Sequence, residues 1–198
     1  MNLSKDLWDN NHYLAEKSLK TKFVQNLKYG TLPKDKFQLY LAQDSFFLEC
    51  FARAYGLAVS KAKDKQMIKI LSKLLIGVSD ELLLHENYAR KWGINLNSNK
   101  INPATKKYTD FLSDVSRNNS LTKIMCAMAP CMRLYAWIGQ SLANDVKNNP
   151  YKEWIETYSS NSFENLARTL ENLINTNNQA YSIDQLNYFY KKAMELEF

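Results

Sequence analysis

The sequence predicts an all-α, single-domain helical bundle over residues 1–198, on three observations. Apolar residues recur at three- and four-residue steps through long segments, the period of an amphipathic helix. Helix start and stop signals follow one another with no alternating strand pattern between them. Only five glycines and four prolines interrupt 198 residues, of which 45% are hydrophobic, too few turn formers for a sheet-rich chain. That length supports a full core without metal or disulfide.

The elements follow in order. Residues 3–20 read as a first helix and 21–29 as a short second one, stopped by Gly30, a natural left-handed cap. Pro33 suits a first helical turn, and residues 33–61 place Phe37, Tyr40, Leu41, Asp44, Phe47, Leu48, Phe51, Ala54 and Tyr55 on one broad face. Two helices are expected next, 64–76 and 79–92, the latter closed by Gly93. Asn102-Pro103 supplies an N-cap and first-turn proline for a helix to about residue 116, and Ser120 caps a long apolar one. That helix carries Ile124, Met125, Met128, Cys131, Leu134, Tyr135, Ile138 and Leu142 inward. It also contains Pro130, which predicts a kink because proline lacks the N–H that bonds the Cys126 carbonyl. Residues 150–158, 161–175 and 182–197 complete the helices. The Asn175-Thr176-Asn177-Asn178-Gln179 stretch is too short for a domain linker.

Composition excludes several functions. A net charge of +6 invites a nucleic-acid reading. The densest lysines, Lys61, Lys63, Lys65, Lys69 and Lys73, however, alternate with Ile68, Ile70, Leu71 and Leu74, as on the solvated side of an amphipathic helix. No helix-turn-helix, zinc or arginine-rich signature accompanies them, so no nucleic-acid partner is expected. Three cysteines, an odd number, and a start that leads directly into a polar helix predict a reduced, cytoplasmic protein. No apolar run reaches the 18 residues of a membrane span. With only His12 and His85, and Cys126 and Cys131 five apart, neither a di-iron set nor a Cys-x-x-Cys site is supported; no metal and no cofactor are expected. Glu81 and His85, four apart, read as a surface or interhelical hydrogen bond.

Two constellations remain. Asp44 lies on an apolar face with Phe47 and Phe51 three and seven residues on, so one helix surface presents a carboxylate beside two rings. A carboxylate is rarely buried without a partner, which leaves either a structural hydrogen bond or a stacked polar heterocycle. Cys131, after the proline and one turn before Tyr135, is either a packed thiol or a nucleophile.

Gly30-Thr31-Leu32-Pro33, the run from Phe37 to Leu48, Glu81-Leu82-Leu83-Leu84-His85, Pro130-Cys131-Met132-Arg133-Leu134-Tyr135, the run from Tyr151 to Tyr158 and the final Glu197-Phe198 stand in an order and spacing that resembles the TenA/thiaminase II family over nearly the whole chain. The resemblance implies a haem-oxygenase-like helical fold, a homotetramer and a role in thiamin salvage. It implies hydrolysis of 4-amino-5-aminomethyl-2-methylpyrimidine to the hydroxymethylpyrimidine and ammonia, with thiamin cleavage as a further activity. By that resemblance Cys131 is the nucleophile, Asp44 holds the ring nitrogen and amino group, Glu197 is the acid and base, and Phe47, Tyr108, Tyr135 and Tyr158 bind the substrate. Glu195 is the rival acid, and aromatics including Phe198 are expected to bury the acid. Two departures stand out: Phe47 occupies a position where many relatives have tyrosine, and the sequence ends one residue past Glu197 where relatives continue with aromatics. The alternatives are an oxygenase, or a non-catalytic regulator or ligand-binding protein on the same fold.

Overall fold

The computed structural model describes residues 2–94, 100–144, 146–177 and 181–198; Asn178 and Gln179 of the stretch noted above lie outside them. Among the described residues every regular element is helical: α1 (Leu3–Leu19), α2 (Lys22–Lys28), α3 (Lys34–Ser60), α4 (Lys65–Trp92), α5 (Pro103–Asn118), α6 (Leu121–Leu142), α7 (Lys152–Ser159), α8 (Asn161–Thr176) and α9 (Ile183–Glu197). No described helix is long and apolar enough to cross a membrane. The chain divides into two compact units, Pro33–Ile124 and the combination of Met1–Leu32 with Met125–Phe198.

In the Pro33–Ile124 unit, α3 packs against both α4 and α5. Phe37, Leu41, Phe51 and Tyr55 of α3, Leu71 and Leu74 of α4 and Leu112 of α5 are almost wholly removed from solvent, each contributing about 1.5–3 kcal/mol by burial. The expected break between residues 76 and 79 does not occur, and α4 is one helix. A glycine inside a helix costs only about 1 kcal/mol, and buried Leu74 and Val78 on either side of Gly77 hold the helix together by packing. Both predicted termini hold: Gly93 closes α4 at φ +67°, and the Asn102 side chain accepts from the Thr105 N–H. Lys61 departs from the expected solvated face. Its ammonium donates to the carbonyls of Ser116, Arg117 and Asn119, at 2.9, 3.1 and 2.7 Å, and so caps the end of α5.

In the other unit α1 packs on α8 and α9, and α7 packs on α8. Asn149 donates to the Leu27 and Lys28 carbonyls, closing α2 beside left-handed Gly30. α6 is buried on more than the single stripe its pattern predicts: Ile124 to Met132 are all buried, including Ala127 and Ala129 on the far side. Pro130 lies inside α6 without ending it. Arg133 grips α8 with Nε and Nη2 on the two Glu171 carboxylate oxygens, both at 2.7 Å, and Nη1 on Glu164 at 2.8 Å. α9 starts with a capping box of Ser182 and Gln185.

Candidate active site

The first set of site residues stands on α3, α4 and α5. The helical repeat of α3 puts Tyr40 one turn before Asp44 and Phe47 almost one turn after it. The Tyr40 hydroxyl donates to Asp44 Oδ2 at 3.1 Å. His85, on α4 and with only 1% of its side chain exposed, brings Nε2 to 3.4 Å from the same oxygen. Asp44 itself is 10% exposed. Burial pushes its carboxyl up to about 7, against the opposing effect of the Tyr40 hydrogen bond. Burial also holds the His85 imidazole below its usual range, opposed by the charge of Glu81 one turn earlier. The pair is therefore a carboxyl about half protonated near neutral pH beside a neutral imidazole. The donor atoms of Asp44, Glu81 and His85 lie within 4.8 Å of one another, so this trio is where a cation could be held among the described residues.

Beyond Asp44 the α3 face turns aromatic. Phe47 stacks on Phe51, 5.3 Å between centroids with 27° between planes, and lies 4.7 Å from Tyr108 of α5. Phe47 and Tyr108, expected together at the site, do meet, and Asp44 sits one turn along the same helix. Tyr40 and His85 were not singled out from the sequence as site residues. The signals available were the four-residue spacing from Tyr40 to Asp44 and the Glu81–His85 pair, whose imidazole is buried against α3.

The second set stands on α6, α7 and α9. Cys131 is buried at 8% exposure, and Tyr135 follows it one turn on. Tyr135 meets Tyr158 of α7 edge-on at 4.9 Å, and Tyr158 in turn contacts Trp154 at 4.6 Å and Phe163 at 4.9 Å. The close approach of α7 depends on Gly139: a Cβ there would stand 2.5 Å from the Tyr158 carbonyl carbon. Cys126 is fully buried, and burial pushes its thiol up to about 12, so it stays protonated. Cys50 is raised by burial too, in contact with Ser113. Glu197 closes α9 in a partly buried position, whereas Glu195 is exposed near Lys191 and Lys192. Phe198, expected to help bury the acid, is instead 66% exposed.

Three comparisons bear on this arrangement. The model of the TENA/THI-4/PQQC family matches residues 11–197. The bifunctional TH2 protein of Arabidopsis thaliana is 33% identical over 91% of the chain, which spans about a third, 33%, of that protein's length. An aminopyrimidine aminohydrolase of Halalkalibacterium halodurans is 33% identical over 84% of the chain and 78% of its own. Among solved structures, a TenA family transcription regulator of Silicibacter sp. TM1040 superposes with a TM-score of 0.91 at 25% identity, covering 98% of this chain and 92% of that one.

Proposed function

The chain belongs to the TENA/THI-4/PQQC family, and we propose that it is an aminopyrimidine hydrolase of thiamin salvage. Its proposed reaction converts 4-amino-5-aminomethyl-2-methylpyrimidine and water into the hydroxymethylpyrimidine and ammonia, with thiamin cleavage as a second activity. Relatives named for aminopyrimidine hydrolysis support this reading. The observation that carries it is the Asp44 carboxyl, raised to about 7, one turn from the Phe47 ring. A protonated carboxyl donates to a ring nitrogen and accepts from the adjacent amino group, which matches an aminopyrimidine edge better than a carboxylate that can only accept.

The chemistry then follows from the ring. The Cys131 thiolate adds to the carbon across the ring double bond that carries the aminomethyl group. The displaced π pair moves onto the ring nitrogen beside the amino group, and that nitrogen takes the Asp44 proton. The pair returns to expel the amine, which Glu197 protonates, while the ring proton goes back to Asp44; an exocyclic methylene remains. Glu197 next removes a proton from water as it adds to that methylene, the ring nitrogen again borrows the Asp44 proton, and loss of the thiolate restores the ring. Tyr108, Tyr135 and Tyr158 are assigned to orienting these groups.

We also propose a homo-oligomer, a tetramer by the family resemblance. On α4 Ile68, Ile76 and Leu83 are 43, 60 and 55% exposed. Leu75 and Leu82 stand seven residues apart beside them, an outward aliphatic stripe of the kind that self-association covers. The competing oxygenase reading would use Asp44, Glu81 and His85 as metal ligands, and elemental analysis of purified protein decides it. The functional test compares ammonia release from the aminomethylpyrimidine with thiamin cleavage on one preparation. The expected result is faster ammonia release; inactivity toward both substrates would overturn the proposal.

A further inference from the structure

The geometry points to His85, with Tyr40, as the positioning pair that makes Oδ2 of Asp44 the accepting oxygen and leaves the acid proton on Oδ1. This rests on the reading of Asp44 as the group that donates a proton to the pyrimidine ring. A carboxylic acid offers one acceptor oxygen and one hydroxyl, and its use depends on which is which. Two groups from two helices address the same oxygen: the Tyr40 hydroxyl of α3 at 3.1 Å, and Nε2 of His85 of α4 at 3.4 Å. The Tyr40 hydroxyl makes Oδ2 an acceptor, so the acid proton resides on Oδ1, and the imidazole nitrogen that faces Oδ2 is the one that carries the ring proton.

The imidazole is suited to that role. It is buried to 1% exposure and therefore neutral, with one nitrogen protonated and one bare. Neither ring nitrogen makes a well-aligned hydrogen bond to another described residue; Asp44 Oδ2, 3.4 Å from Nε2, favours the Nε2–H tautomer. At 3.4 Å the contact is longer than a formed hydrogen bond. That length leaves Oδ2 a lone pair to accept from the substrate's amino group while the imidazole holds the carboxyl in place. Glu81, a charged group acting on the imidazole, stands one turn back on α4, with a carboxylate oxygen within 4.8 Å of the Asp44 and His85 ligand atoms. His85 thus acts through Asp44 and needs no contact with substrate. The sequence signal was the Glu81-x-x-x-His85 spacing, which puts both side chains on one face of α4.

The test has two arms. In the first, nitrogen-15 NMR of histidine-labelled wild-type protein reads the tautomer directly. Nε2–H is expected, shifting toward a mixture in Asp44→Leu; an Nδ1–H tautomer or a charged ring near neutral pH overturns the assignment. In the second, kcat and KM for ammonia release are measured for His85→Gln, which keeps a side-chain N–H donor, and for His85→Leu, which does not. His85→Leu should lose about tenfold or more in kcat, with KM changed far less. His85→Gln should recover most of that loss, and Tyr40→Phe should lose kcat in the same sense. Equal damage in the Gln and Leu variants, or wild-type kcat in His85→Leu, contradicts the pairing, as does a stoichiometric metal lost from both. Should the Leu variant fail to fold, the tautomer still decides. Should the wild type release no ammonia, the functional reading fails alone, because the tautomer and its dependence on Asp44 remain measurable.

Discussion

Asp44 has a thermodynamic signature independent of turnover. Its carboxyl titrates near 3.8 when unfolded and near 7 when folded, so between those values the folded state holds a proton the unfolded state has released. Stability contributed by the neutral acid is full below about pH 4 and is lost as pH rises to about 7. A shift of this size corresponds to an upper figure on the order of 4 kcal/mol. Denaturant unfolding across pH 4 to 8 should show wild type falling toward neutrality relative to Asp44→Asn; parallel curves for the two proteins would remove the raised carboxyl from the account. The acid role separates two neighbours on α9. Glu197→Gln should lose about a hundredfold or more in kcat while still binding pyrimidine, whereas exposed Glu195→Gln should stay near wild type. Paired rate and calorimetric measurements check this, and the reverse pattern would reassign the acid. Asp44 was legible in the sequence because a carboxylate on an apolar stripe is conspicuous. Glu197 was not: a part-buried acid at a helix end carries no local pattern, and only the family resemblance selected it.

At the scale of elements, two helical glycines have opposite roles. Gly139 allows α7 to lie against α6, and a methyl group there meets the Tyr158 and Ser159 backbone at 2.5 and 2.6 Å. Gly139→Ala should therefore destabilise by about 1–3 kcal/mol, and by moving Tyr158 away from Tyr135 it should also slow turnover. Gly56, within α3, has open space around its missing Cβ, so Gly56→Ala should gain up to about 1 kcal/mol from helix propensity alone. Thermal unfolding of the two variants gives both signs. The same physics explains the error over α4. Gly77 resembles a terminator by composition, but the apolar face on either side of it is continuous and decides the matter. Lys61 was misread for a related reason: periodicity shows which side of a helix is polar, not that a lysine there will reach three carbonyls at the end of α5.

For the molecule as a whole, we propose that the two compact units unfold as one domain, since α6 runs through residues 124 and 125 where they divide. A single calorimetric transition with matching van't Hoff enthalpy is the expected result, and two separate transitions would count against it. Association through the α4 stripe should show as a fall in light-scattering mass for Ile76→Glu with Leu83→Glu. The all-helical architecture was legible because period, caps and prolines agree along the chain; how surfaces pair is long-range information that one chain's pattern does not carry. The central claim is that a thiol on this scaffold hydrolyses an aminopyrimidine. Its most direct test is the rate of ammonia release from 4-amino-5-aminomethyl-2-methylpyrimidine by wild type and by Cys131→Ser, with circular dichroism confirming the fold of both. Clear turnover by wild type and nearly none by the serine variant is the expected result; undiminished ammonia release from Cys131→Ser would contradict a thiol nucleophile.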